Sequence, residues 1–294
     1  MYGGAQFYQF CYNNAVYDNI DGPKFWSVDE NKPEESAQHR VREKAFNSGT
    51  LKRAIYDEFD GEESNKSQKA FVNDLLEEKR GKPLSESDIR LDCEEYRIVF
   101  RDIARSSDER TMIASVIPPE IVCLDSVRTI KPFEIDVSEE VLNDVPLHSA
   151  YERAFTDEEL FVLVGLLNSI PFDFLIRTKV NTHIPKYKFE ESQTPRLIEG
   201  DEWFDYIWTR AARLNCYGDD FEQMRDRLGG VEPATTMDER REVQAELDAA
   251  AFHAYGLDRK QTAFVLEDFH RVQNPRLMDE NYFQSVLEKY DELA

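Results

Sequence analysis

The chain has 294 residues, 41% of them hydrophobic, and a formal net charge of -23. Nineteen Phe, 13 Tyr and 3 Trp argue against a self-repelling disordered chain and for one large or two modest folded domains with an acidic surface. Such a surface suits a high-salt cytoplasm, where screening shortens electrostatic reach to ~3 Å at 1 M.

Cys11, Cys93, Cys123 and Cys216 are scattered, with no CxxC spacing for zinc and no disulfide framework. No signal peptide and no apolar run near ~18 residues is present, so a soluble cytoplasmic protein with no membrane partner is expected.

Residues 1 to 17 carry no charge and hold six rings, at Tyr2, Phe7, Tyr8, Phe10, Tyr12 and Tyr17. They read as a buried strand or edge segment, or else as a surface that packs on another domain. Asp21-Gly22-Pro23 breaks the chain, and Phe25-Trp26 anchors a loop. From Pro33, with Ser36 as an N-cap, a helical run reaches Phe59 and is divided at Gly49. A second helix spans Gln68 to Arg80 and stops at Gly81-Lys82-Pro83. Residues 31–95 therefore form a helical insertion. His39, Arg40, Arg42 and Lys44 make a small basic face on it, most simply a solvated one.

Tyr96 to Pro118 reads YRIVFRDIARSSDERTMIASVIP. Tyr96, Ile98 and Phe100 alternate with Arg97, Val99 and Arg101, the period of a strand with one apolar and one basic face. Ser106 to Glu109 supply turn chemistry, and β-branched residues follow up to Pro118-Pro119. The expected element is a β-hairpin carrying Arg97, Arg101, Arg105 and Arg110. Each arginine either points outwards or pairs internally with Asp102, Asp108 or Glu109. Ile121 to Val127 is β-rich and pairs beside the hairpin. Val137 to Ala154 reads as an acidic loop.

Thr156 followed by three acids is a helix start, and Leu160 to Leu167 is apolar enough to be buried. Asn168 to Pro171 kinks this helix. It continues to Val180, turning Arg177 and Lys179 outwards. Between Ile176 and Phe189 there are four cations, Arg177, Lys179, Lys186 and Lys188, and no acid. Asn181 to Lys188 is a loop or strand rich in donors, with Thr182 and His183 beside the lysines. Phosphate contacts use such donors. A capping loop with a satisfied histidine is the plain structural account.

Glu199-Gly200-Asp201 separates the last section. Helices follow at Trp203–Leu214, Asp238–Tyr255 (ended by Gly256), Asp258–His270 with Asp258 as cap, and Asn281–Leu293. Glu242, Glu246 and Asp248 read as a solvated acidic face.

Three stretches, YRIVFRDIARSSDERT, LLNSIPFDFLIRTKVNTHIPKYKF and EVQAELDAAAFHAYGL, together with the opening YGGAQFYQFCYNN, lie in a consistent order. In that order they resemble the C-terminal half of adenine-specific DNA methyltransferases of restriction-modification and phage-defence systems. CYNN stands where that family often carries charged residues. The resemblance implies an α+β fold. Residues 1–200 would be a mixed, β-containing target-recognition domain with the helical insertion, and residues 201–294 an α-helical module that braces it.

It also implies double-stranded DNA and a methylase catalytic domain or subunit as partners. S-adenosylmethionine would belong to that partner and no cofactor to this chain. The Asn/Asp-Pro-Pro-Tyr/Phe loop and a glycine-rich cofactor loop are missing here; Ile117-Pro118-Pro119-Glu120 lacks both the amide and the ring. No catalytic or metal-ligating set is found. The expected function is therefore DNA sequence recognition for adenine methylation, without the transfer chemistry. Candidate contacts are Arg97, Arg101, Arg105, Arg110, Arg177, Lys179, Thr182, His183, Lys186 and Lys188. The competing expectation is an acidic interaction module that docks a partner through the aromatic N-terminus and does not touch DNA.

Overall fold

A computed structural model describes residues 2–13 and 37–294. The expectations for Tyr17, Asp21-Gly22-Pro23, Phe25-Trp26, Pro33 and Ser36 lie outside them. In chain order the helices are α1 (Ala37–Ser48), α2 (Thr50–Glu58) and α3 (Gln68–Arg80). The strands are β1 (Arg97–Arg101), β2 (Ala114–Ile117), β3 (Val127–Thr129), β4 (Phe133–Ile135) and β5 (Tyr151–Arg153). Then come α4 (Asp157–Leu167), α5 (Ile170–Arg177), α6 (Lys186–Glu190), α7 (Phe204–Asn215), α8 (Glu222–Arg227), α9 (Met237–Ala254), α10 (Arg259–Asp268) and α11 (Glu280–Glu292). Helices with small antiparallel sheets make this an α+β protein.

The chain forms two compact units. One comprises the described part of Phe25–Tyr96 together with Lys131–Ala154. Here Gly49, in the left-handed region at φ 78°, separates α1 from α2 as its permissive backbone allows. Gly81 ends α3 in the same conformation. Val72 and Leu76 form the buried stripe of α3. The stretch expected as an acidic loop contains β5, which pairs with β4 in the register Glu134↔Glu152.

Asp88 organises this unit. Its two oxygens receive Arg80 at 2.7 and 2.8 Å, and the Ser85 and Leu147 amides at 2.8 and 3.1 Å. Burial alone would raise its carboxyl, but Arg80, Ser85 and Leu147 hold it below the usual carboxylate range.

The second unit holds the described part of Tyr2–Lys24, Arg97–Ile130 and Phe155–Ala294. Its sheet runs β2-β1-β3, with Phe100 opposite both Ala114 and Arg128. The free edge of β2 is closed by side chains. Asn168 donates to the Ala114 carbonyl and accepts from its amide, each at 2.9 Å. Asn215 does the same for Val116, at 3.0 and 2.9 Å. Two amide groups therefore stand in for a fourth strand.

The capping box at Thr156 and Glu159 starts α4 as expected. A 55° bend separates α4 from α5, and among the described residues no single helix is long and apolar enough to cross a membrane. Gly165 lets α7 come close to α4: a Cβ there would sit 2.9 Å from the Ile207 side chain and 3.3 Å from that of Ala211. Thr236 caps α9, Gly256 follows it at φ 68°, and Asp258 caps α10. The N-terminal rings Tyr2, Phe7, Tyr8, Phe10 and Tyr12 are all buried within this unit.

Asp88→Asn tests the first unit. It removes one partner of an ion pair whose side chains are each 1% exposed, and should cost about 3 kcal/mol in urea unfolding. Because the folded carboxyl titrates below its unfolded value, the stabilisation is present above about pH 4 and lost as pH falls through the folded value. The variant should therefore flatten the acid side of the stability curve. Wild-type stability and acid dependence in the variant would contradict this role.

Candidate nucleic-acid interface

The two donor-rich stretches of the sequence meet in space. Ile103, just beyond β1, forms an antiparallel bridge with His183. The Ala104 amide donates to the Thr182 carbonyl at 3.2 Å, and the Ile184 amide donates to the Asp102 carbonyl at 2.8 Å. Phe100 and Phe189 stack with centroids 4.5 Å apart. The hairpin loop and the segment leading into α6 thus form one edge of the second unit.

The ten candidate residues do not all face outwards from that edge. Arg105, Thr182, His183 and Lys186 are exposed. Lys186 makes an i,i+4 pair with Glu190 at 3.3 Å while its side chain stays 86% exposed. Lys179 and Lys188 are half-buried and spend their ammonium groups locally. Lys179 donates to the Glu191 carbonyl at 3.1 Å and the Ser192 hydroxyl at 3.2 Å, and Lys188 donates to the Lys179 carbonyl.

Four arginines are turned inwards: for the three on the hairpin this is the internal alternative that the sequence left open, though with partners other than Asp102, Asp108 and Glu109. Arg97 is buried against the Ile121 carbonyl and the Cys123 sulfur. Arg101 lies over the rings of Phe7 and Tyr8 and donates to the Phe7 carbonyl. Arg110 is fully buried and pairs with Asp248 at 3.1 Å. Arg177, expected to point outwards, folds over Phe269 and reaches Asp173 at 2.9 Å. The same guanidinium donates to the carbonyls of Ser106, Asp108 and Glu109, so it fastens the hairpin loop. For Arg97 and Arg101 the reason is that β1 is the central strand and both its faces are covered, so alternation does not divide a dry side from a wet one. Arg110 and Arg177 lie off β1 and are drawn in by the buried acids Asp248 and Asp173.

Asp248 likewise does not belong to a solvated acidic face. It is fully buried, accepting from Arg110, the Tyr282 hydroxyl at 2.5 Å and the Ile170 amide at 2.7 Å. Burial opposes charge on Arg110, but the surrounding Asp248, Tyr282 and Asp173 more than offset it and raise its pKa.

The acids around the edge are partly neutralised. Glu109 accepts from the amides of Arg276, Leu277 and Met278 at 2.8 to 3.1 Å. Asp108 caps the Arg105 amide at 3.1 Å. Asp102 sits between a guanidinium and an imidazole: Arg128 Nε donates to one carboxylate oxygen and His183 Nδ1 to the other, each at 2.9 Å. Burial pushes the Asp102 carboxyl up, but the bonds from Arg128 and His183 outweigh it and hold it below the usual range. Arg128, half exposed on β3, was not among the residues singled out from the sequence; its V-R-T context resembles many edge strands.

Among the described residues no His/Cys/Asp/Glu group has metal-binding geometry. Searched against family models, characterised proteins and solved structures, the chain matches none.

Exposed and buried arginines should separate cleanly in unfolding experiments. Arg110→Met strands the Asp248 carboxylate and should cost about 3–5 kcal/mol. Arg105→Ala should change stability by no more than about 0.5 kcal/mol. Equal costs would contradict this division.

Proposed function

We propose that this chain reads double-stranded DNA for an adenine-methylation system of the restriction-modification or phage-defence kind. A separate catalytic domain or subunit would supply the S-adenosylmethionine chemistry. The observation that carries the reading is the pairing of residues 102–104 with 182–184. Two stretches about eighty residues apart, each picked out for its donors, lie side by side. Arg105, Thr182, His183 and Lys186 remain exposed along them. Tyr187, 58% exposed beside Lys186, adds a ring and a hydroxyl.

The net charge of -23 weighs against phosphate binding, but distance limits it. At about 0.1 M salt the screening length is about 10 Å, so the field at the edge is set by neighbours rather than by the total. Two nearby acids are compensated: Asp102 by Arg128 and His183, Glu109 by three backbone amides. The competing reading, a docking module, relied on the aromatic N-terminus as its surface. Tyr2, Phe7, Tyr8, Phe10 and Tyr12 are buried in the unit's own core.

Binding of a labelled duplex, followed by anisotropy from about 50 to 200 mM salt, tests the proposal. Arg105→Ala and Lys186→Ala should each lower the slope of log K against log salt by about one unit and weaken all sequences alike. Absence of duplex binding at the lowest salt, alone and with a methylase partner, would refute it.

A further inference from the structure

We infer that Asp102, Arg128 and His183 form a phosphate-binding site in which Asp102 is a positioning residue and the other two side chains make the contact. For its biological ligand, a nucleic-acid backbone phosphate, this rests on the DNA-reading proposal. The site itself rests on the geometry.

One carboxylate holds two nitrogen donors, a guanidinium and an imidazole, one on each oxygen. The Asp102 side chain is only 10% exposed, whereas those of Arg128 and His183 are 50% and 58% exposed. The carboxylate lies beneath and the donors lie above. Its position is fixed by the backbone: the Asp102 amide donates to the Ser126 carbonyl at 3.1 Å, and its carbonyl accepts from Ile184 at 2.8 Å. Arg128 and His183 are placed by the same two neighbouring segments.

Each head uses only part of its hydrogen-bonding capacity. Arg128 spends Nε on Asp102, and its two terminal nitrogens make no hydrogen bond among the described residues. That leaves a planar pair of donors of the kind that engages phosphate oxygens. His183 spends Nδ1, which carries the proton because the ionised carboxylate can only accept. Its Nε2 makes no hydrogen bond among the described residues, and the side chain is exposed. A doubly protonated imidazole donates from both nitrogens, here to Asp102 on one side and to a phosphate oxygen on the other. Fixing both side chains in advance removes ordering cost from binding.

A purely additive view of charge makes the opposite forecast for one variant, which gives the test its edge. Removing an acid from an anion site should strengthen phosphate binding. If Asp102 orients the donors, Asp102→Asn should instead weaken duplex binding by roughly tenfold, the worth of one charge-assisted hydrogen bond. Arg128→Ala and His183→Ala, both at exposed positions, should each lower the salt slope by about 0.9 at about pH 6. A second arm titrates the whole chain with inorganic pyrophosphate and follows the His183 imidazole by NMR. The resonance should shift in the wild type and not in Arg128→Ala or Asp102→Asn.

Tighter duplex binding by Asp102→Asn, with slopes unchanged in the other two, would overturn the site while leaving DNA recognition through Arg105 and Lys186 intact. A pyrophosphate response without duplex binding would keep the site and remove the DNA reading. No response to either ligand would remove both.

Discussion

The ion pair between Arg110 and Asp248 is the constraint on which the second unit depends. It joins the end of the hairpin loop to the middle of α9, and Asp248 also receives Tyr282 from α11 and the first amide of α5. A charged pair this deep is stable only if its lone pairs are met, and Asp248 meets three donors. Asp173 repeats the pattern one turn into α5, accepting from the Thr111 and Met112 amides at 2.9 and 3.2 Å and from Arg177 at 2.9 Å. Together the two acids seat residues 110–112. Arg177 then draws the loop carbonyls of Ser106, Asp108 and Glu109 down onto α5. The exposed end of the loop, at Arg105, is therefore carried on a rigid mount.

This arrangement divides the basic residues into two populations. Arg97, Arg101, Arg110 and Arg177 build the mount, and Arg105, Arg128, His183 and Lys186 stand on it. A protein with so large a negative total can hold a local cationic edge if the nearby acids face cations or backbone amides. Asp102, Glu109 and Asp173 all do so.

Much of the fold was legible because its signals are local. Caps at Thr156 and Asp258, stops at Gly81 and Gly256, and the division at Gly49 depend on a few neighbouring residues and stand where the sequence put them. The hairpin was legible from its period of two. The three-residue strands β4 and β5 and the five-residue α6 are too short to show a period. Which arginines face water was not legible, because it depends on residues distant in sequence: Phe7 and Tyr8 over Arg101, Ile121 and Cys123 at Arg97, and Asp248 beside Arg110. Asp248 is different, since its position carried a readable signal. On a helix, Glu242 and Glu246 share a face, whereas two residues further on the side chain points away from them. The meeting of residues 102–104 with 182–184 could not be read from either stretch alone.

The central claim is that the edge built from these two stretches lies against a double helix. Lysine acetylation with and without duplex, read by mass spectrometry, tests it most directly. Lys186 should lose reactivity when DNA is present, while Lys66, Lys82 and Lys260, which lie away from this edge in the sequence, keep theirs. Uniform protection, or an unprotected Lys186 under conditions where duplex is bound, would contradict the account.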